Sequence, residues 1–140
     1  MQSKESNGLI FVRLFPNEDI YESLKEVCAK HNVTTAVILS GVGQLKKFRL
    51  GYFVKKNDYA PEFFEEPHEL LALNGLISKG ANGYDFHLHA VLGNREKKAI
   101  GGHLIEGIVE VTCELVLLKS DAKLFRRIEE ATGLAGLFVE

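Results

Sequence analysis

Two predicted strands and the turn between them lie in the stretch DFHLHAVLGNREKKAIGGHLI, residues 85–105. Side chains two residues apart on a strand point to the same face, so His87 and His89 project together while Leu88 faces the other way. The polar segment 93–98 is typical of a hairpin turn. A hairpin symmetric about position 96 places His103 directly opposite His89, with His87 one diagonal away on the same face. A bulge at Gly101-Gly102 would shift this register.

The three histidines on this predicted face form a candidate metal site. Cross-strand neighbours in these positions have Cβ atoms about 4.5–8 Å apart, which suits three ligands on one cation. Neutral imidazoles on a rigid sheet bind zinc and leave one coordination position open. We therefore predict zinc at His87, His89 and His103, with nickel, iron or manganese as alternatives because imidazole suits several of these ions. The alternative is that all three are ordinary strand histidines satisfied by hydrogen bonds.

Glu106 is the first candidate for a catalytic group beside the histidines. It follows His103 by three residues, and it would supply a fourth ligand or a general base acting on water at the metal. Strict alternation places Glu106 on the opposite face from His103. It reaches the metal only if a break in the strand near Gly107 turns it around.

The composition indicates one soluble, cytoplasmic domain. The chain has 140 residues with a net charge of −2, and this balance weighs against a dedicated nucleic-acid-binding protein, which usually needs a basic excess. Cys28 and Cys113 form neither a disulfide framework nor a Cys-x-x-Cys motif, so we expect a reduced environment. No apolar run approaches the ~18 residues that a membrane span needs.

The pattern along the chain predicts an α+β domain with a mostly antiparallel sheet of six to seven strands and two helices. Residues 1–8 are expected to be a disordered lead-in, and residues 9–140 a single domain. One helix begins near Asn17, the predicted cap, and runs to about His31. The second is capped by Asp121 and ended by Gly133. The predicted strands cover residues 9–15, 34–42, 45–54, 69–78, 85–92 and 100–118, with a further edge strand in the tail 134–139.

Two of the predicted strands are apolar on both faces, at residues 36–39 and 115–118. Two helices cover too little of such a sheet, so we expect an oligomer that buries the remainder. The residues alone do not predict how many chains assemble.

Three segments together resemble the PPC domain, the plants and prokaryotes conserved domain. They are residues 86–89 (FHLH), residues 101–107 (GGHLIEG) and residues 40–45 (SGVGQL), and the resemblance extends over about residues 9–133. It implies a stand-alone prokaryotic protein that forms a homotrimer and holds zinc with three histidines. The fold it implies is also similar to that of acetolactate decarboxylase, a zinc lyase whose metal is held by histidines.

The resemblance also raises the question of DNA. Plant members of the family carry AT-hooks, and the prokaryotic proteins are often labelled predicted DNA-binding proteins. This chain has no Gly-Arg-Pro core of an AT-hook, and its basic residues lie in small separate groups. DNA binding is therefore possible but unsupported by the charge.

Two functions remain open from the sequence. The first is a regulatory or ligand-binding module that holds zinc without turnover and has a small-molecule, protein or DNA partner. The second is a metal-dependent enzyme, a lyase or hydrolase acting on a small carbonyl or carboxylate substrate, with Glu106 near the metal.

Overall fold

The structure is a computed structural model that describes residues 1–139. Within that range it contains one helix and nine strands. The helix α1 is Ile20–Lys30. The strands are β1 (Gln2–Ser6), β2 (Leu9–Leu14), β3 (Thr35–Gly51), β4 (Glu62–Phe64), β5 (His68–Gly80), β6 (Gly83–Gly93), β7 (Ala99–Ser120), β8 (Leu124–Ile128) and β9 (Ala135–Val139).

Seven of these strands form one antiparallel sheet in the order β1-β2-β7-β6-β5-β3-β4. Strand β7 also pairs with β3, so the strands β3, β5, β6 and β7 form a closed ring. Both long strands bend through register shifts, as β-bulges allow. The predicted α+β class with a mostly antiparallel sheet of six to seven strands is confirmed, and the main sheet has seven.

The core fills the inside of this closed sheet and the contact with α1. On β6, Leu88, Ala90 and Leu92 point inward and are buried, while the alternating histidines point outward. The inward side chains of β3 and β7 meet them, and Phe48 is the largest fully buried side chain. The outer face of β6 carries His87 and His89, and both side chains are exposed.

Helix α1 joins β2 to β3 and begins two residues later than predicted. Its N-cap is Asp19, whose carboxylate accepts a hydrogen bond of 2.9 Å from the Glu22 backbone N–H. Asn17 instead has a left-handed φ of 69° and donates its backbone N–H to Val109 of β7 at 2.8 Å. A side-chain oxygen at Asp19 satisfies an otherwise free donor of the first turn, which is what a cap requires.

The prediction of a second helix between Asp121 and Gly133 is wrong. Residues 124–128 and 135–139 form the antiparallel hairpin β8–β9. The aromatic rings of Phe125 and Phe138 stack across it with centroids 5.5 Å apart, and Arg127 lies over the Phe138 ring. Such cross-strand pairs stabilise a hairpin and outweigh the helical spacing of the apolar residues.

The amino-terminal residues also differ from the expected disordered lead-in. Gln2–Ser6 is strand β1, paired along its length with β2. Asn7 and Gly8 connect them with positive φ angles of 52° and 79°, the conformation of a tight two-residue hairpin turn.

The predicted strands 34–42 and 45–54 are one continuous strand, β3, in which Gly43 lies at a register shift. A Cβ at Gly43 would lie 2.1 Å from the carbonyl oxygen of Thr112 on β7, so the close approach of the two strands requires glycine there.

Among the described residues, no helix is long and apolar enough to cross a membrane.

Candidate metal centre

The hairpin β6–β7 has the register that its sequence predicts. The pairs run without a shift from Gly93 opposite Ala99 to His89 opposite His103. The glycines before His103 therefore introduce no bulge between these two strands. The prediction that His89 and His103 face each other is confirmed.

The three imidazoles converge on one point outside the sheet. The Nε2 atoms of His87 and His89 are 3.1 Å apart. The ring centroids are 5.0 Å apart for His87 and His89, 5.3 Å for His87 and His103, and 5.5 Å for His89 and His103. One ligand nitrogen from each residue lies within 4.8 Å of the other two.

This arrangement fits a tetrahedral metal ion. Two imidazole nitrogens on one zinc ion with Zn–N bonds of about 2.0–2.1 Å are about 3.3 Å apart, close to the separation of the two facing Nε2 atoms. The His103 Nδ1 atom is buried and has no hydrogen-bond partner among residues 1–139. A buried ring nitrogen without a partner is costly, and a bound cation would satisfy it.

The surroundings of His87 and His103 favour the neutral imidazole, the form that binds metal. Burial, followed by the neighbouring His87, His89 and Arg126, lowers the pKa of His103 to about 4. Burial, His89 and Arg126 also lower the pKa of His87. Removing water from a charged ring disfavours its protonated form, and a nearby cation does the same.

The ring of Tyr59 packs against the imidazole of His103. The two rings meet edge-on, with centroids 5.4 Å apart. Gly51 lies opposite His103 on β3, and a Cβ at Gly51 would come within 2.5 Å of the Tyr59 ring. The absence of a side chain at Gly51 thus admits the tyrosine to the metal centre.

A cavity of about 240 Å³ adjoins the histidines. Its lining includes His87, His103, Tyr59 and Arg126. Sequence reasoning missed both Tyr59 and Arg126. Tyr59 lies in the irregular segment between β3 and β4, where no pattern predicts an orientation, and Arg126 lies in the segment for which the sequence predicts a helix.

Glu106 lies outside the group of three histidines. Leu50 pairs with Leu104 while Arg49 pairs with Glu106, so Ile105 is an extra residue that bulges β7. Glu106 Oε1 is 3.2 Å from Arg49 Nη2, and the two side chains form an ion pair on the neighbouring strands. The bulge lies close to the break predicted near Gly107. Glu106 there forms an ion pair with Arg49 of β3. A catalytic role for Glu106 stays a prediction.

The closed antiparallel sheet, its single helix and the three outward histidines define a class of small metal-capable α+β domains. Residues 1–121 match the family described as the Plants and Prokaryotes Conserved (PCC) domain. The chain belongs to this family, and the resemblance to the PPC domain is confirmed.

Solved structures support the assignment. A plant- and prokaryote-conserved (PPC) protein from Pyrococcus horikoshii is 28% identical with a TM-score of 0.80, over 95% of this chain and 93% of that one. The metal-containing protein AF0104 from Archaeoglobus fulgidus is 26% identical with a TM-score of 0.85, over 96% and 95%. A protein from Bacteroides thetaiotaomicron, named as a candidate DNA-binding protein, shares the fold with a TM-score of 0.91 at 24% identity, over 99% and 96%.

A curated relative is a much longer protein. The bifunctional protein GlmU of Synechococcus sp. (strain JA-3-3Ab) is 29% identical over 131 residues, which is 92% of this chain and 20% of that protein. The chain thus spans about a fifth of the length of the curated relatives it matches.

Proposed function

We propose that the protein is a homotrimeric, zinc-binding PCC-domain module that binds a small ligand at the three-histidine site. The observation that carries the proposal is the convergence of His87, His89 and His103, whose ligand nitrogens lie within 4.8 Å of one another on a rigid hairpin. The similarity to a protein named as metal-containing supports it. Zinc is the first choice because three imidazoles and an open position are typical of its sites.

A zinc ion held by three imidazoles keeps one coordination position for an added ligand and acts there as a Lewis acid. His87 and His89 are exposed and His103 is half-buried, so a ligand reaches the position from solvent. The adjoining cavity of about 240 Å³ accommodates a molecule of a few heavy atoms.

The ion pair between Glu106 and Arg49 favours binding without turnover. A general base must lie within hydrogen-bond reach of the proton that it removes. The Glu106 carboxylate is instead paired with Arg49 at 3.2 Å. The protein therefore functions as a binding module, with regulation through its ligand or partner as its role.

The second candidate is a metal-dependent lyase or hydrolase acting on a small carbonyl or carboxylate substrate. The cavity beside His87 and His103 favours it, because Tyr59 and Arg126 add a hydroxyl and a cation next to the metal position. In this case Glu106 or Tyr59 would donate or accept the proton. Turnover of small 2-hydroxy and 2-oxo acids by the zinc-loaded protein, measured by proton NMR, decides between the two candidates.

Exposed apolar side chains on the sheet support association into a homotrimer. Phe11 of β2 is 50% exposed and Val42 of β3 is 46% exposed. Both line an open groove of about 590 Å³ that also includes Val116 of β7. Apolar surface of this kind is typical of subunit interfaces.

DNA association is not part of the proposed function. It is supported by the names of similar proteins and opposed by the charges. Lys46 is 2.6 Å from Glu110, and Lys119 is 3.2 Å from Glu5, so these lysines are already paired with carboxylates. The buried, unpaired thiols of Cys28 and Cys113 support a cytoplasmic location.

The experiment that tests the proposed function is metal analysis of the protein purified without chelator. One zinc ion per chain is expected in the wild type, together with a loss of metal when a histidine of the group is replaced. Absence of stoichiometric metal in the wild type contradicts the proposal.

A further inference from the structure

Arg126 is brought to the metal centre by a part of the chain outside the family match. It lies on β8 in the terminal hairpin, whereas the match ends at residue 121. Together with His87 and His103 it lines the cavity of about 240 Å³. The hairpin therefore adds a cation to a site whose three histidines come from the sheet.

The guanidinium of Arg126 is held by one nitrogen and free at the other two. Its Nη1 donates a hydrogen bond of 2.9 Å to the backbone carbonyl of Ala135 on β9. Its Nε and Nη2 are buried and have no hydrogen-bond partner within residues 1–139. Buried donors without acceptors are rare in proteins, and a ligand is one of the standard explanations.

The two nitrogens without partners, Nε and Nη2, lie on the same edge of the guanidinium group. In the planar guanidinium, Nε–H and the adjacent Nη2–H point in the same direction, so they can donate two parallel hydrogen bonds to both oxygens of one carboxylate. The bond from Nη1 to the hairpin backbone fixes the plane in advance. A carboxylate that binds there meets an arginine that is already oriented, which lowers the entropic cost of binding.

The remaining lining restricts the rest of the ligand. Phe86, Leu134 and Ala135 contribute apolar surface to the same cavity. Asp85 also lines it, and this exposed carboxylate makes no ion pair with Arg126 within 4.0 Å in the described part of the chain. A short aliphatic acid fits this combination of a cation, an apolar wall and a small volume.

We propose that Arg126 binds the carboxylate of a small organic acid whose second polar group reaches the metal position at His87, His89 and His103. The inference rests on the proposed function and deepens it, because it names the chemical class of the ligand. The terminal hairpin then determines ligand choice, while the sheet supplies the metal ligands.

The test measures binding of 2-hydroxyisobutyrate by NMR titration of the whole protein, in zinc-loaded and chelator-treated forms. Arg126→Gln is compared with wild type and with Arg127→Gln, which removes the same charge from the next residue of β8, where the side chain lies over Phe138. Arg126→Lys keeps the charge and removes the two-nitrogen edge. Wild type is also titrated with 2-hydroxyisobutyramide and with inorganic phosphate.

Arg126→Gln is expected to raise the Kd for the acid about tenfold or more, since hydrogen bonds to charged groups are among the strong ones. The Kd of Arg126→Lys is expected to lie between those of wild type and Arg126→Gln. Arg127→Gln is expected to have the Kd of wild type. The uncharged amide should bind at least tenfold more weakly than the acid. This comparison needs no variant and holds even if a substitution disturbs folding.

Several outcomes overturn the inference. They are equal binding by wild type and Arg126→Gln, an equal loss in Arg127→Gln, equal binding of the amide, or tighter binding of phosphate than of the acid. Metal content is measured in every sample. A wild type without metal refutes the proposed function, while the dependence of acid binding on Arg126 in the chelator-treated protein still decides this inference.

Discussion

His89 of β6 and His103 of β7 lie directly opposite each other, and eight residues of paired strand and a short turn lie between them in the chain. Each strand is anchored on its other side as well, because His89 pairs with Asn74 of β5 and His103 with Gly51 of β3. The candidate metal centre therefore lies on backbone positions that are paired on both sides. Its geometry depends on the strands more than on side-chain flexibility.

Gly75→Ala is expected to damage the metal centre without touching a ligand. A Cβ at Gly75 would lie 2.1 Å from the carbonyl oxygen of His87, so β6 must move where it carries the first histidine. Overpacking of this kind costs about 1–3 kcal/mol of stability. Urea unfolding and zinc titration should both show a loss.

The matched control for this substitution is Gly93→Ala, on the same strand as His87. Its added Cβ would meet only the side chain of Leu71, at 3.3 Å. Zinc affinity should stay within about twofold of wild type. Equal effects of the two substitutions would show that the contact at Gly75 does not position His87.

Glu106→Gln is expected to leave the metal content unchanged. The carboxylate is paired with Arg49, and a partly exposed ion pair contributes about 0–1 kcal/mol to stability. Arg49→Gln breaks the same pair from the other side and should have a similar small effect on the urea midpoint. A fall in bound zinc in Glu106→Gln alone would identify Glu106 as a fourth ligand. If the zinc-loaded protein shows turnover, the same variant tests the predicted catalytic role.

Phe11→Asp and Val42→Asp are expected to dissociate the proposed homotrimer, because each places a charge on the apolar groove shared by β2, β3 and β7. Sedimentation equilibrium should give three chains of 15.6 kDa for the wild type and a smaller species for the variants. Val54→Asp is the control, since this equally exposed residue lies beyond the end of β3. A monomeric wild type would refute the trimer.

DNA binding is expected to be absent at physiological salt. The net charge is −2, and several basic side chains are already paired with acidic residues. A gel-shift assay with micromolar protein and mixed-sequence duplex DNA should show no retardation. Retardation that falls steeply with added salt would instead establish a phosphate-binding surface.

The sequence predicts the hairpin and its histidines because both depend on local rules. Alternation places His87 and His89 on one face, and the symmetric turn between the strands places His103 opposite. The sequence also contains a signal for β1, the Asn7-Gly8 pair, which is typical of a two-residue hairpin turn.

Two other features could not be predicted from local patterns. The apolar residues 124, 125, 128 and 131 have helical spacing, yet the segment forms β8 because the aromatic ring of Phe138 on β9 packs against it. Arg126 reaches the candidate metal centre on this hairpin, and Tyr59 reaches it from the segment between β3 and β4, so only the fold brings them together. The two site residues that the sequence does not predict are therefore those that lie outside the hairpin of the histidines.

The most direct test of the account is the zinc content of wild type compared with His89→Ala, both purified without chelator and measured by inductively coupled plasma mass spectrometry. His68→Ala is a control, because His68 lies on β5 beside Phe48 and Phe64 and outside the three-histidine group. We predict about one zinc ion per chain in wild type and His68→Ala, and a large loss in His89→Ala. A wild type without stoichiometric metal, or a His89→Ala variant that retains it in full, would contradict the account.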